Sequence, residues 1–338
     1  MKLRVILVSN WPGLRIRALW RLARSRHEIA GVFIHQKSSN APLPDLLVKT
    51  ASRLPKAHAV AKRIFGARHA ERVALGRAAH LNKVQVCACT DINDNRTLEI
   101  VRELNPDVVL TMTWPKKFGA ELLNLPRLGC INCHPSLLPK HRGRFPLTAA
   151  LLAGETETGV TFHLMNEEYD AGDILLQKPI TIAPQDNGVT LFKKCGRLAL
   201  DSLIEVLDGI AEGRLLPGPQ ETQQDSLMPG LNQTDGLIDW NMASTQIAYR
   251  VRAFYPWIMP HTFHRNQRID FIACEAAAGA NGAAPGQVLT YTDKSILVAT
   301  QDAAILVKSP RVTGFSQRRS RSYLKTHIKS GGLLGAKS

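Results

Sequence analysis

The first 35 residues read as a strand, a helix and a strand. Residues 3–8 are apolar but for Arg4, and residues 29–34 are apolar again. Between them, residues 14–24 set Leu14, Ala18, Leu19 and Leu22 on one helical face and Arg15, Arg17, Arg21 and Arg24 on the other. Parallel neighbours need a crossover long enough to return the chain, and a helix lying on the sheet supplies it. The opening therefore favours a parallel sheet with right-handed crossovers. The loop at 9–13 lacks G-x-G-x-x-G, so a standard dinucleotide site is not expected there.

The 338 residues suffice for two domains. Strands are expected at 84–88, 108–112 and 129–132, with a helix at 95–104 stopped by Asn105-Pro106-Asp107 and a short helix from Ala120. Residues 160–165 and 174–182 alternate like antiparallel strands, and 190–206 has helical periodicity. Residues 215–224 have linker composition. A helix at 245–254 then precedes short strands at 262–265, 268–273, 286–290, 295–299 and 304–307, the pattern of a small barrel or sandwich. The expected fold class is thus α/β. A Rossmann-like, mostly parallel sheet domain spans 1–208, a linker 209–231, a smaller β-rich domain 232–313, and a basic, loosely ordered tail 314–338. Residues 43–80 read as helical material interrupted by Pro55.

Charge is uneven. The net charge is +15, yet residues 36–83 hold 10 Lys/Arg against 2 Asp/Glu, and residues 308–338 hold 8 Lys/Arg and no acid. A near-neutral body with two basic segments attracts polyanions, or is merely kept soluble by them. No apolar stretch is long enough to span a bilayer, and the apolar start is too short for a secretory signal, so the expected location is the cytoplasm.

Six cysteines, Cys87, Cys89, Cys130, Cys133, Cys195 and Cys274, are then expected to be free thiols. Cys87 and Cys89 have no second ligand pair at zinc-site spacing, and no metal is expected. Cys130-Ile131-Asn132-Cys133-His134 matches the c-type haem attachment pattern, but that chemistry belongs to exported proteins and this segment reads as a strand entering a loop.

Sites in open α/β sheets lie at strand carboxyl ends. Asn132 and His134, two apart on an extended chain, project to one side, and Cys133 points to the other. The Gly-containing loop 167–173 holds Glu167, Glu168, Asp170 and Asp173, and an acid there could reach a His on the neighbouring strand. An Asn that donates to a carbonyl oxygen, a His that shuttles a proton and an Asp that orients it make an acyl-transfer site. The plainer alternatives are a structural histidine and a turn-forming aspartate.

Asn132-x-His134-Pro135-Ser136-Leu137-Leu138-Pro139, with residues 159–165 running into Asp170-Ala171-Gly172-Asp173-Ile174-Leu175, resembles the signature of the folate-dependent formyltransferases. Arg142-Gly143, Gly154-Glu155 and Glu157-Thr158-Gly159 fit between the two segments. Asp239-Trp240, Arg252-Ala253-Phe254, Tyr255-Pro256-Trp257 and residues 284–289 resemble the carboxy-terminal domain of the two-domain methionyl-tRNA formyltransferase family. The resemblance covers most of residues 84–310. It implies formyl transfer from 10-formyltetrahydrofolate, as co-substrate, to an amine, with Asn132, His134 and Asp170 as the catalytic set. It implies a folate site formed by Met112, Thr113 and Trp114, the turn Leu137-Leu138-Pro139, and Glu168, Tyr169 and Gly172. It also implies an oligonucleotide/oligosaccharide-binding-type barrel for the second domain.

Some residues depart from the tRNA enzymes. His134-Pro135-Ser136 stands where they carry His-Gly-Ser, and Pro139-Lys140-His141-Arg142-Gly143-Arg144-Phe145-Pro146 is not their usual Trp-Arg-Gly-Ala-Ala-Pro. Residues 43–80 diverge most. The first reading of the acceptor is methionyl-tRNA, bound through the basic segments 36–83 and 308–338, with Arg318, Arg319, Arg321 and Lys325 placed to hold phosphates. The alternative acceptor is a small amine, either an amino-sugar nucleotide or N-hydroxyornithine. A non-catalytic RNA-binding paralogue is the third reading, and the intact Asn132, His134 and Asp170 speak against it.

Overall fold

The computed structural model describes residues 1–35, 75–221, 230–280, 282–292 and 294–335. The basic segment at 36–83 therefore lies largely outside the described residues; those from 75 to 81 are helical. The chain forms two compact units.

The first unit is built on a seven-stranded sheet. Its strands are β1 (Arg4–Ser9), β2 (Glu28–His35), β3 (Gln85–Cys89), β4 (Val108–Met112), β5 (Cys130–His134), β6 (Glu157–Leu164) and β7 (Ile174–Thr181), in the order β3-β2-β1-β4-β5-β6-β7. Every pairing from β3 to β5 is parallel, and β6 runs antiparallel to β5. Strands β1 and β4 are buried along almost their whole length, as expected of strands covered on both faces. Helix α1 (Pro12–Leu22) buries Leu14, Ala18, Leu19 and Leu22. Helix α2 (Asn95–Leu104) opens on Asp94, whose side chain accepts the Thr97 N–H, and ends at a left-handed Asn105, so both of its stop signals lie in the sequence. A short helix, α3 (Ala120–Asn124), precedes β5.

The units do not follow one another along the chain. Residues Arg144–Thr158 and Thr181–Lys194 belong to the second unit with Leu227–Ser338, while Cys195–Ser226 stays with the first. Local contacts explain this. The short helix α4 (Pro146–Leu152), for which no helix was expected, is followed by Gly154, where a Cβ would come within 2.4 Å of the Tyr249 ring. A Cβ on Gly188, at the start of α5 (Gly188–Ala211), would come within 2.7 Å of the Tyr255 carbonyl oxygen. Tyr249 lies in α6 (Ser244–Phe254).

The stretch expected as a free linker is partly pinned. Gly218 exchanges two backbone hydrogen bonds with Ile174, at 2.7 and 2.9 Å.

The second unit contains two antiparallel sheets. One, in the order β10-β13-β12-β11, comprises β10 (Ala273–Ala277), β11 (Val288–Tyr291), β12 (Ser295–Ala299) and β13 (Ala304–Lys308). The other, β14-β9-β8, comprises β8 (His261–His264), β9 (Gln267–Asp270) and β14 (Arg311–Val312). The single strand expected at 268–273 is two strands in different sheets. Phe271 still donates its N–H to the Pro260 carbonyl, but proline has no N–H to return, so the first ladder ends there before the chain joins the next.

The described part of the tail, residues 315–335, is not loose. Ser316 caps helix α7 (Gln317–His327), and Leu324, Ile328 and Leu334 join the core that holds Ile247, Phe271 and Val298. Basic composition hid three apolar anchors spaced through the segment. Among the described residues, no helix is long and apolar enough to cross a membrane.

Leu324→Ala is expected to destabilise the second unit by about 2–4 kcal/mol, read as a fall in denaturation midpoint. A loss under about 0.5 kcal/mol, the range of neutral surface changes, would show that the helix is not part of that core.

Candidate active site

The site starts from a register. Antiparallel pairing sets Asn132 opposite His163 and His134 opposite Thr161. Directly opposed residues share a face, so Asn132, His134, Thr161 and His163 all point the same way. Cys133 and its partner Phe162 point to the other face and are buried. Burial pushes the Cys133 thiol far up, which removes it as a nucleophile.

Asp170 comes to this face on the loop between β6 and β7. Leu164 donates its N–H to the Asp173 carbonyl at 2.8 Å and closes the loop at its base. Gly172 is required there, since a Cβ would meet the Leu164 carbonyl oxygen at 1.9 Å. Asp170 itself has φ +51°, a left-handed conformation that Asp tolerates better than most residues. The loop thereby folds back over the strand pair.

The Asp170 carboxylate is the centre of the cluster. Its Oδ1 accepts from Asn132 Nδ2 at 3.0 Å and lies 3.5 Å from His163 Nε2. Its Oδ2 accepts the Gly143 N–H at 2.9 Å and lies 3.4 Å from His134 Nδ1. Burial pushes the carboxyl up, but the adjacent His134 and His163 and the Gly143 N–H outweigh it and hold Asp170 well below the usual carboxylate range. His134, 4 % exposed, is shifted the other way. Burial lowers its pKa below 6.5 against the opposing pull of Asp170 and the His141 carbonyl.

Two carbonyl oxygens fix the histidine tautomers. His134 Nε2 lies 2.9 Å from the His141 carbonyl, so Nε2 carries the hydrogen and Nδ1 turns a lone pair toward Asp170. His163 Nδ1 lies 2.8 Å from the Leu164 carbonyl, so its Nε2 accepts from Asn132 Nδ2 at 3.2 Å. Both Asn132 N–H bonds are thus directed within the cluster, whereas sequence reasoning reserved one for a substrate oxygen.

The expected folate residues differ in exposure and in backbone conformation. Met112 is fully buried in the sheet, so only its backbone can face a ligand. Thr113 has φ +63°, an outlier for a β-branched residue. The Trp114 ring meets His35 edge-on at 5.7 Å, and its Nε1 is buried without a hydrogen-bond partner among the described residues. Leu138 is buried; its N–H goes to Thr161 Oγ1 and its carbonyl accepts from Gln177. Leu137 packs against Gly159, and Pro139 follows in the same turn. Glu168 and Tyr169 are exposed at the loop tip, and Gly172 is buried at its base. Lys117, just after β4, donates to the Glu167 carbonyl at 2.6 Å and stands over the Tyr169 ring, which joins the two loops.

Sequence reasoning passed over four participants: His163, the His141 carbonyl, the Gly143 N–H and Arg142, whose Nε donates to the Tyr169 carbonyl at 2.9 Å. Only His163 had a readable signal, because antiparallel pairing of its strand beside Asn132 sets it on the same face. Among the described residues, no group of three or more His, Cys, Asp and Glu could hold a metal ion.

Comparison with known proteins identifies the family of the chain. Residues 53–207 match the family described as Formyl transferase, and residues 230–327 match Formyl transferase, C-terminal domain. The chain is 35 % identical over 222 residues to a protein of Thermodesulfovibrio yellowstonii named methionyl-tRNA formyltransferase, covering 66 % of this chain and 71 % of that one. A protein of the same name from Pelobacter propionicus is 35 % identical over 239 residues, covering 70 % of this chain and 74 % of the relative. Among solved structures, an N-formyltransferase from Helicobacter canadensis in complex with folinic acid and dTDP-3-aminofucose superposes with a TM-score of 0.64 at 16 % identity, over 90 % of this chain and 99 % of its own. HypX from Aquifex aeolicus in complex with tetrahydrofolic acid gives 0.61 at 18 % identity over 98 % of this chain, which spans about half (49 %) of HypX. At such identities these structures support the fold alone.

Gly172→Ala is expected to displace the loop, because the new Cβ would stand 1.9 Å from the Leu164 carbonyl oxygen and a backbone group cannot relieve that clash locally. Activity should fall by at least about a hundredfold while the second unit keeps its thermal transition. An active Gly172→Ala enzyme would mean that the loop does not set the position of Asp170.

Proposed function

The chain belongs to the formyl transferase family, and we propose that it transfers the formyl group of 10-formyltetrahydrofolate to the amino group of methionyl-tRNA. The observation that carries this reading is the Asp170 carboxylate, which accepts from Asn132 and from the Gly143 N–H and has His134 Nδ1 3.4 Å away.

In the reaction a bond forms between the acceptor nitrogen and the formyl carbon, and the bond from that carbon to the folate nitrogen breaks. One proton leaves the acceptor amine and one is gained by the departing nitrogen. The gap between His134 Nδ1 and Asp170 Oδ2, 3.4 Å across, is the seat for that proton. It lies between an anion and a lone pair, and its occupation turns a repulsive contact into an ion pair. Nε2 of His134 stays hydrogen-bonded to the His141 carbonyl, so the ring keeps its orientation as it gains charge. Asn132 orients the carboxylate. Its longer bond, to His163, is the one that can be exchanged for the formyl oxygen as negative charge develops there.

The residues that would hold the pterin are Thr113 and Trp114, the turn Leu137-Leu138-Pro139, and Glu168, Tyr169 and Gly172, with Met112 contributing through its backbone. The buried Trp114 Nε1–H suits a group rich in acceptors.

Two observations support tRNA as the acceptor. Relatives at 35 % identity, matched over more than 70 % of their length, carry the name methionyl-tRNA formyltransferase. On helix α7, Arg318, Arg321 and Lys325 are exposed at three- and four-residue steps, opposite the buried Ser320 and Leu324, while Arg319 lies over the Phe315 ring. Such a face binds phosphates with salt-sensitive affinity. A cytoplasmic location fits an enzyme acting on charged tRNA.

The test supplies 10-formyltetrahydrofolate and compares methionyl-initiator-tRNA with amino-sugar nucleotides and N-hydroxyornithine, following tetrahydrofolate release. Turnover is expected with the charged tRNA; turnover with a small amine alone would overturn the acceptor. His134→Ala should lower kcat by about 10²–10⁴ in a folded protein, and near-parental turnover would remove His134 from the mechanism. With burial lowering His134, kcat/KM should hold steady through neutrality and fall only when acidification passes below the ordinary histidine value of 6.5. An acid limb centred above 6.5 would contradict that assignment.

A further inference from the structure

We infer that Gln220, in the stretch that leads out of the first unit, is a positioning residue for the Asp170 loop. This rests on the formyl-transfer reading only for its effect on turnover. The single Nε2 of Gln220 donates to two loop carbonyls, Asp170 at 2.9 Å and Gly172 at 2.7 Å. A primary amide nitrogen has two hydrogens, so both bonds are made at once. The carbonyls belong to the left-handed residue that presents the carboxylate and to the glycine against Leu164 at the loop base.

The strap is anchored close by. Gly218, two residues before Gln220, pairs in both directions with Ile174, two residues after Gly172. The chain beside Gln220 is thus tied to the strand that follows the loop, and the carboxamide clamps the segment 170–172. Among the described residues, four groups from outside the loop bond its backbone carbonyls: the Leu164 N–H on Asp173, Arg142 Nε on Tyr169, Lys117 Nζ on Glu167, and Gln220. Of these, Gln220 alone bonds the carbonyl of Asp170 itself.

Without the clamp, Asp170 can relax from φ +51° toward the ordinary region. Its carboxylate would then swing off His134 and Asn132. Substrate contacts made elsewhere would survive, so the loss should appear in kcat and not in KM.

The test uses the full chain with Gln220→Glu. The shape is kept, but an ionised carboxylate cannot donate and faces two carbonyl oxygens. Near neutral pH, kcat should fall by about ten- to a hundredfold, with KM for both substrates within about twofold. The deficit should shrink as the pH is lowered, because a protonated Glu regains one donor. Backbone amides of residues 166–173 should exchange with solvent faster than in the parent, while the thermal transition is preserved. Exchange is read without any turnover, so a parent inactive on every amine would count against formyl transfer and leave the clamp to be judged by exchange alone. Unchanged exchange at 166–173 would overturn the inference, as would a kcat within about twofold of the parent.

Discussion

A buried carboxylate must be balanced or it will not stay ionised, and the first unit is arranged around meeting that requirement for Asp170. Two donors, the Asn132 carboxamide and the Gly143 N–H, take one oxygen each, and an imidazole stands beside each oxygen. These donors and the two imidazoles together outweigh burial and hold the carboxyl low. An arginine in either imidazole's place would hold the charge more firmly and leave no site for a travelling proton. A neutral His134 whose proton is committed to a carbonyl leaves that site open.

The sheet and its loops follow from the same need. Strands β5 and β6 supply three of the side chains through one register, at the point where the sheet changes from parallel to antiparallel pairing. Non-glycine residues with positive φ cluster here: Thr113 at the end of β4, His141 beside His134, and Asp170 itself. Such conformations cost energy and persist where the surroundings over-determine them. The surroundings do so through Arg142, Lys117, Gln220 and the closed space at Gly172.

Much of the fold was legible in the sequence because its signals are local. The helix at 95–104 has Asp94 at one end and Asn105-Pro106 at the other, and the buried strands are short apolar runs. Asn132 and His134 declared themselves by a two-residue spacing at a strand end, and the family resemblance singled out Asp170. What escaped depends on contacts distant in sequence. Helix α4 is only seven residues long. The expected strand at 268–273 breaks where its partner is Pro260, which has no N–H to carry the ladder on. The basic tail concealed Leu324, Ile328 and Leu334, whose burial depends on a partner core. The His141 carbonyl and Gly143 N–H are backbone groups, and no residue type announces them.

The claim on which the account turns is the charge state of the pair at its centre. ¹⁵N NMR of the free enzyme, with His134 assigned, reports the protonation of each ring nitrogen directly. At neutral pH, the account requires a neutral ring with its hydrogen on Nε2 and a bare Nδ1, taking up a second proton only below 6.5. A neutral-pH spectrum showing the imidazolium, or the hydrogen on Nδ1, would mean that the proton seat beside Asp170 is already filled, and the mechanism drawn from it would fail.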